Sequence, residues 1–219
     1  MCDKAEGAYA LFLYYSWYTT CFFIIINMRG FLMRKDLGPK SLLYPMPVLI
    51  IGTYDENGEA DAMNAAWGSI YDYNQITVSL GGHVTTDNIR KNKAFTISFA
   101  TRKTVTQSDY VGLVSKAKEH NKIQKAGLHP YKSDRVNAPL FEEYPLTLEC
   151  KLVSLDGEIG EGGTLIGDII NVSADESILT DGKIDIKKLE PICYDGEAHK
   201  YNVIGEEIAD AFKIGLKLK

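Results

Sequence analysis

The sequence lacks the motifs that define many nucleotide, hydrolase and metal sites. It contains no GxGxxG fingerprint, no phosphate-binding P-loop, no G-x-S-x-G elbow and no HExxH pair. A dedicated Rossmann domain, a P-loop nucleotide site and a zinc protease site are therefore not predicted. It also lacks a Pro/Ser-rich linker. We predict one β-rich domain over residues 33–219, which is long enough to bury one substantial core.

The sequence has few cysteines, and acidic residues outnumber basic ones. The four cysteines, Cys2, Cys21, Cys150 and Cys193, form no CxxC pair and no metal-ligand spacing. Neither a disulfide framework nor a metal site is predicted, and a reducing cytoplasm is the simplest compartment. Cys150 falls in an alternating strand pattern, which predicts a buried structural thiol rather than a nucleophile. The net charge of −5 argues against a nucleic-acid partner.

The first 32 residues differ in composition from the rest. Residues 7–28 carry no charge and are numerous enough to span a bilayer as a helix. Arg29, Arg34 and Lys35 follow this run, an order that would leave the main domain in the cytoplasm. Three interpretations stay open for residues 1–32: a membrane anchor, sequence upstream of the true start, or an extra packed segment.

Hydrophobic periodicity predicts mostly strands. In residues 75–80, Ile76, Val78 and Leu80 alternate with polar residues, as in a half-buried strand. Asn57-Gly58 is typical of a hairpin turn. Many strands separated by Gly, Asn and Asp turns indicate a closed or half-open barrel. The predicted strands are 48–54, 60–67, 75–80, 95–99, 145–155, 164–172 and 201–204, with a turn at 71–74.

Few helices are predicted. One short helix precedes strand 95–99. A second runs from 108 to 115, with Ser108 and Asp109 as good N-cap types. A third, over 206–218, would place Ile208 and Phe212 on one apolar side.

Residues 81–88, GGHVTTDN, form the most informative turn. A glycine turn that leads hydroxyl groups into a helix suits an anionic phosphate, because free backbone N–H groups and the positive end of the helix dipole meet there. Ordinary capping is the alternative, since Thr86, Asp87 and Asn88 are all good N-cap types. The small residues at 64–66 would let the sheet lie close to a flat ligand.

Eight motifs follow one another in an order that a known family shares. They are PMPVLIIGTYDENG (45–58), DAMNAAWG (61–68), HVTTDNI (83–89), FTISFAT (95–101), SDYVG (108–112), NKIQKAGL (121–128), APLFEEYPLTLEC (138–150) and HKYNVIG (199–205). Together they resemble the flavin reductase-like, FMN-binding split-barrel family, in its flavoredoxin-type branch. The resemblance implies a mainly β split barrel of Greek-key type with a few peripheral helices, and FMN as the cofactor.

The resemblance also implies which residues contact FMN. Those implied for the phosphate are His83, Thr85, Thr86 and Asn88. Those implied for the ring and its surroundings are Asn64, Ala65, Ala66, Trp67, Ala100, Thr101, Asp109, Tyr110 and Lys122.

Several of these residues have a simpler alternative. Trp67 also suits a core aromatic, and Asp109 with Tyr110 suits a helix cap beside a surface aromatic. Lys122 lies in Asn-Lys-Ile where the family has a DKF-like segment, so a solvated lysine is the alternative there. His129 and His199 have no assigned role.

The resemblance implies redox chemistry in a homodimer, with FMN near the subunit interface. Two electrons would pass from transiently bound NADH or NADPH through FMN to a free flavin, a protein or a small acceptor. No catalytic residue is assigned, because a flavin carries this chemistry itself. Two alternatives stay open: an electron carrier that NAD(P)H does not reduce directly, and a non-redox barrel for another phosphorylated or flat ligand. A membrane tether is expected only if residues 7–28 are retained.

Overall fold

The computed structural model describes residues 34–219. The chain divides into two units, Met1–Ser41 and Leu42–Lys219. Residues 34–41, the described part of the first unit, are exposed and form neither helix nor strand. The predicted leader, 1–32, and its apolar run, 7–28, lie outside the described residues. In the part of the chain that is described, no helix combines the length and hydropathy needed to cross a bilayer.

The second unit is mainly β, as the periodicity predicts. Its strands are β1 Met46–Pro47, β2 Leu49–Tyr54, β3 Ala60–Ala65, β4 Gly68–Asp72, β5 Gln75–Leu80, β6 Ala94–Phe99, β7 Pro130–Lys132, β8 Pro139–Phe141, β9 Leu146–Leu155, β10 Gly163–Ala174, β11 Leu179–Thr180, β12 Lys183–Ile184, β13 Ile192–Asp195 and β14 Lys200–Val203. Its helices are α1 Val84–Asn92, α2 Val105–Leu113, α3 Lys122–Lys125 and α4 Ile186–Leu189, with 3-10 turns at Arg102–Thr104, Glu176–Ile178 and Ile214–Leu218.

Seven strands form one antiparallel sheet in the order β3-β2-β6-β9-β10-β5-β4. A smaller sheet pairs β1 with β13 and β13 with β14. The predicted Asn57-Gly58 turn joins β2 to β3, and Gly58 has the left-handed φ of 77° that such turns favour. The Asp55 carboxylate accepts hydrogen bonds from the backbone N–H groups of Asn57 and Glu59, both at 2.9 Å, which fixes the turn.

Strand β2 is buried on both faces, which accounts for its continuous apolar sequence. Successive side chains of a strand point to opposite faces. Leu49 and Ile51 therefore enter a core cluster inside the curled sheet, whereas Val48 and Ile50 enter a second cluster beneath α2 and α3. Each such side chain contributes about 1.5–3 kcal/mol on burial. Strand β2 therefore contributes side chains to both core clusters, one inside the sheet and one beneath the helices.

The strand predicted over 60–67 ends at Ala65 in the structure. The turn predicted at 71–74 was placed too early, because β4 continues to Asp72. The chain pairs with β2 only to Ala65 and then starts a new strand, β4, where Gly68 pairs with Val78. Because β3 and β4 lie at opposite ends of the strand order, the chain changes partners at Trp67. Sequence periodicity does not record such a change, because both segments are extended.

The predicted helix over 206–218 is wrong. Apart from the turn at Ile214–Leu218, this segment has no regular helix, and Ile208 and Phe212 are 90% and 99% exposed. A helix of this length is marginal in water unless its apolar face packs on something. In the described chain these side chains remain exposed, so the amphipathic pattern alone does not stabilise a helix.

A glycine in β10 makes room for a buried aromatic ring of β6. A Cβ atom on Gly167 would lie 2.4 Å from Cζ of the fully buried Phe95. We expect Gly167→Ala to lower the free energy of unfolding by about 1–3 kcal/mol, measured by urea denaturation, because a packed core resists added volume. Gly205→Ala is the matched control, since nothing lies within 4 Å of its Cβ position. Equal stability of the two variants would contradict this packing.

Candidate functional site

Two adjoining cavities lie between the sheet, the helices and the β13–β14 hairpin. Their volumes are about 410 and 220 Å³, in the range of small-molecule sites when taken together. Asn64, Gly112 and Leu113 line both cavities. The two cavities therefore meet at Asn64, on either side of the contact between β3 and α2.

The wall between the cavities depends on close packing of α2 against β3. The Asn64 Nδ2 atom donates a 3.1 Å hydrogen bond to the backbone carbonyl of Ser108. A Cβ atom on Gly112 would lie 2.3 Å from the Asn64 amide, so only glycine permits this approach. The Ser108 hydroxyl is itself buried, 3.1 Å from the Tyr144 hydroxyl. These contacts hold Asn64 at the junction.

Helix α2 begins earlier than its sequence indicates. The predicted N-caps Ser108 and Asp109 lie inside Val105–Leu113, so the predicted helix 108–115 is wrong at its start. The chain instead enters through a 3-10 turn that the side chains of Thr101 and Thr104 cap reciprocally. In this register, Asp109, Gly112 and Leu113 share one helix face, and all three line the larger cavity.

The larger cavity is lined by small residues of β3 and by aromatic residues of the β13–β14 hairpin. Residues 64–66 belong to the first set, and Tyr194, His199 and Tyr201 to the second. The Tyr194 and Tyr201 rings have centroids 5.9 Å apart, and the Tyr194 hydroxyl lies 2.9 Å from His199 Nδ1. A lining of small and aromatic residues suits a flat ring, because aromatic faces pack well against one another.

A hydrogen bond ties the β13–β14 hairpin to α2. The Tyr201 hydroxyl donates to Asp109 Oδ1 at 2.7 Å. Burial, followed by this hydrogen bond and the charge of Asp109, raises the pKa of Tyr201 to about 12. The phenol therefore stays protonated and continues to donate at neutral pH.

The smaller cavity has the chemistry of an anion site. His83, Val84 and Thr85, at the N-terminus of α1, line it together with Lys116 and Lys122. His83 is the N-cap residue, and its side chain makes no capping hydrogen bond. The first backbone N–H groups of a helix have no partner within the helix, and the helix dipole is positive there. These groups suit a phosphate.

The polar side chains of α1 are engaged within the protein. The hydrogen bonds are Thr85 Oγ1 to Asp61 Oδ2 at 2.8 Å, Thr86 Oγ1 to the Gly81 carbonyl at 2.8 Å, and Asn88 Nδ2 to Thr53 Oγ1 at 3.2 Å. A hydroxyl has one proton, so neither threonine has one left for a phosphate. The alternative of N-capping is wrong for Thr86 and Asn88, since they lie within the helix.

Lys122 is buried, so the alternative of a solvated lysine is wrong. Its side chain is 3% exposed, and Nζ lies 3.2 Å from Oδ1 of Asp61, which is 1% exposed. Burial lowers the pKa of Lys122, and the charge and hydrogen bond of Asp61 oppose that effect. Sequence reasoning missed Asp61. An acidic residue beside the apolar Ala62 and Met63 of β3 was the available signal.

The neighbouring ammonium group of Lys116 has other partners. Its Nζ atom contacts Asp55 Oδ2 at 3.1 Å, Glu59 Oε2 at 3.2 Å and the Ala60 carbonyl at 3.0 Å. Three acceptors match the three protons of an ammonium group. Lys116 therefore stabilises the β2–β3 hairpin, whereas Lys122 has Asp61 as its ion-pair partner in the smaller cavity.

An arginine of α1 holds the turn after β9 in place. Arg90 contacts Asp87 Oδ1 at 3.0 Å and the carbonyl oxygens of Asp156 and Glu161 at 2.8 and 3.0 Å. The Gly160 N–H group donates to the same Asp87 oxygen at 2.9 Å. The turn after β9 is thereby fixed against α1, which supports the helix that lines the smaller cavity.

The predicted residues divide into two groups. Those that line a cavity are Asn64, Ala65, Ala66, His83, Thr85, Asp109 and Lys122. Those that line neither cavity are Trp67, Thr86, Asn88, Ala100, Thr101 and Tyr110. Trp67 is 59% exposed, so the alternative of a core aromatic is wrong.

The remaining candidate residues are two histidines and a cysteine. His199, without a role from the sequence, lines the larger cavity, whereas His129 pairs with Glu143 at 2.6 Å. Cys150 is fully buried, as predicted, and burial raises the pKa of its thiol to about 12. Within residues 34–219, no group of His, Cys, Asp and Glu side chains is arranged to hold a metal ion.

Fold and site together define a mainly β, barrel-like protein with two adjoining cavities beside α2. The chain belongs to the flavin reductase-like family, whose domain matches residues 41–195. The predicted family is confirmed. A search of curated proteins gave no significant match.

Solved structures agree with this assignment. The flavoredoxin of Desulfovibrio vulgaris (Miyazaki F) is 36% identical, with a TM-score of 0.77, over 84% of this chain and 100% of that one. A flavoredoxin from Methanosarcina acetivorans is 28% identical, with a TM-score of 0.75, over 85% of this chain and 100% of that one. A split barrel domain from Shewanella frigidimarina, 24% identical with a TM-score of 0.65 over 75% and 84% of the two chains, shares the fold. The predicted split barrel is confirmed.

Removing one partner of the buried ion pair should destabilise the protein. Lys122→Met would leave the Asp61 carboxylate buried without its counter-ion, so we expect a loss of about 3–5 kcal/mol in the free energy of unfolding. Lys125→Met is the control in the same helix, because the ion pair of Lys125 with Glu119 is exposed. Chemical denaturation should show a much lower midpoint for Lys122→Met alone. Similar midpoints for both variants would contradict the burial of this pair.

Proposed function

We propose that the protein binds FMN across both cavities and acts as an oxidoreductase. Electrons would pass from NADH or NADPH through FMN to a free flavin, a protein or a small acceptor. The observation that supports the proposal is that the two cavities meet at Asn64, which lines both of them. A flat slot adjoining an anion pocket corresponds to the two ends of FMN, its ring and its phosphate.

The cavity-lining residues fit the separate parts of this cofactor. The backbone N–H groups of the first turn of α1, with His83 and Lys122, would hold the phosphate. Asn64 would contact the ribityl chain, and residues 64–66 would lie along the ring. We propose that Trp67, Ala100, Thr101 and Tyr110 shape the ring end from outside the cavity, and that Thr86 and Asn88 support the phosphate end through the hydrogen bonds of α1.

The protein's own contribution is binding and orientation. Bound FMN supplies the hydride and electron chemistry. Asp109 would hold the β13–β14 hairpin over the ring through Tyr201, which keeps water away from one face of the slot. The match to a flavin reductase-like domain supports flavin as the ligand.

We further propose a cytoplasmic homodimer. Strand β4, at an end of the strand order, exposes Ile70, Tyr71 and, just beyond it, Tyr73. Exposed large apolar and aromatic side chains of this kind are typical of protein interfaces. A reducing compartment suits Cys150 and Cys193, which are free thiols.

An electron carrier is the second candidate function. The 36% identity to a flavoredoxin favours it. In a carrier, FMN would receive its electrons from a redox partner protein rather than directly from NAD(P)H.

The visible absorption spectrum of the purified full chain tests both candidates. After incubation with FMN and removal of unbound flavin, we expect the two flavin bands to remain with the protein. Bleaching of these bands by NADH or NADPH supports the reductase, whereas bleaching only by a reduced partner protein supports the carrier. Absence of flavin bands would contradict both and favour a barrel for another ligand.

Closing the junction between the cavities should weaken FMN binding. We expect Gly112→Ala to raise the Kd for FMN by about tenfold or more, a loss of at least about 1.4 kcal/mol, because the added methyl group displaces Asn64. Fluorescence titration measures the Kd. Gly215→Ala, whose Cβ position is open, should bind as the wild type does. Unchanged affinity in Gly112→Ala would show that FMN does not pass this junction.

A further inference from the structure

One buried carboxylate joins three elements at the smaller cavity. Asp61, in β3, accepts a 2.8 Å hydrogen bond from Thr85 Oγ1 of α1 through Oδ2. Through Oδ1 it contacts Lys122 Nζ of α3 at 3.2 Å. Asp61 and Lys122 are 1% and 2% exposed, so water contributes little to either charge.

The position of Asp61 requires an explanation beyond packing. Burying a carboxylate is unfavourable unless it is paired, and an apolar pair of similar volume is often at least as stable. Asp61 also lines the anion cavity itself, where its negative charge opposes binding of an anion. Its location is explained if the carboxylate positions Lys122, the cation that would contact the phosphate.

We propose that Asp61 is a positioning residue that makes the site selective for a phosphorylated flavin over an unphosphorylated one. It does so by holding the Lys122 ammonium group at the cavity wall and by orienting the first turn of α1 through Thr85. This inference rests on the proposed function, since it concerns the phosphate end of the same ligand.

The charge balance around Lys122 supports this role. Burial lowers the pKa of Lys122, the charge and hydrogen bond of Asp61 raise it, and the charge of Lys116 lowers it. Lys116 contacts Asp55 and Glu59, so its effect is partly neutralised. The other titratable group lining this cavity is His83 of α1.

Asp61 thus opposes the loss of the Lys122 proton that burial favours. Without the carboxylate, the pKa of Lys122 falls further, and the ammonium group loses its proton at a lower pH. A neutral lysine attracts phosphate only weakly. Selectivity for the phosphorylated flavin should therefore decline with rising pH earlier in a variant that lacks this charge.

A pair of ligands isolates the phosphate contribution. FMN and riboflavin differ only in the phosphate group, so the ratio of their Kd values reports the phosphate end alone. Asp61→Asn removes the charge and keeps an acceptor for Thr85. Asp168→Asn is the matched control, because Asp168 is a half-buried strand carboxylate that accepts from Gln75 Nε2 at 2.7 Å and lines neither cavity.

The experiment measures both Kd values for the full chain by fluorescence titration between pH 7 and 9.5. In the wild type we expect FMN to bind more tightly than riboflavin. In Asp61→Asn we expect the FMN preference to fall about tenfold and to decline with rising pH earlier than in the wild type, because Lys122 has lost the carboxylate that raises its pKa. The riboflavin Kd should change much less. Asp168→Asn should keep the wild-type ratio and pH profile.

A double variant keeps the test decisive if Asp61→Asn does not fold. Asp61→Asn/Lys122→Met removes both charges and leaves no unpaired buried ion. It should bind riboflavin much as the wild type does, with a reduced FMN preference that shows no lysine titration.

The outcomes separate this inference from the proposed function. Wild type that binds neither flavin contradicts the proposed function. Two other results overturn the proposed role of Asp61 and leave the proposed function standing. One is a wild type that binds FMN and riboflavin equally, and the other is an Asp61→Asn variant with the wild-type Kd ratio and pH profile. If only the double variant folds, a wild-type FMN preference in that variant also overturns it.

Discussion

The buried ion pair between Asp61 and Lys122 is the interaction on which the site depends. It joins a strand, β3, to α3, and Asp61 also holds α1 through Thr85. Neither charge is tolerated in the interior without the other. Asn64 lies three residues after Asp61 in the same strand, so the position of β3 sets both the anion pocket and the junction of the two cavities.

The fold brings these groups together from distant parts of the chain. The sheet supplies β3, helix α2 approaches it at Gly112, and the β13–β14 hairpin faces it across the larger cavity. The Tyr201–Asp109 hydrogen bond links the hairpin to α2. Hydrogen bonds and ion pairs between these elements, together with a core to which β2 contributes on both faces, hold the residues around the two cavities in place.

Local periodicity predicted much of the fold. The strand predicted at 75–80 is β5, Gln75–Leu80, because alternating burial is recorded directly in alternating residues. The helix predicted at 206–218 is wrong because its apolar side has no packed surface in the described chain. Family motifs pointed to residues 64–66, His83 and Lys122. Asp61 escaped prediction because its partner lies 61 positions away, and no local pattern encodes that contact.

A crystal structure of the protein with FMN would decide whether the ligand spans both cavities. We expect the phosphate within about 3 Å of the first backbone N–H groups of α1 and of Lys122 Nζ. We also expect the flavin ring between residues 64–66 and Tyr201, with the ribityl chain beside Asn64. A phosphate outside the smaller cavity, or a ring bound elsewhere on the barrel, would contradict the proposed binding mode.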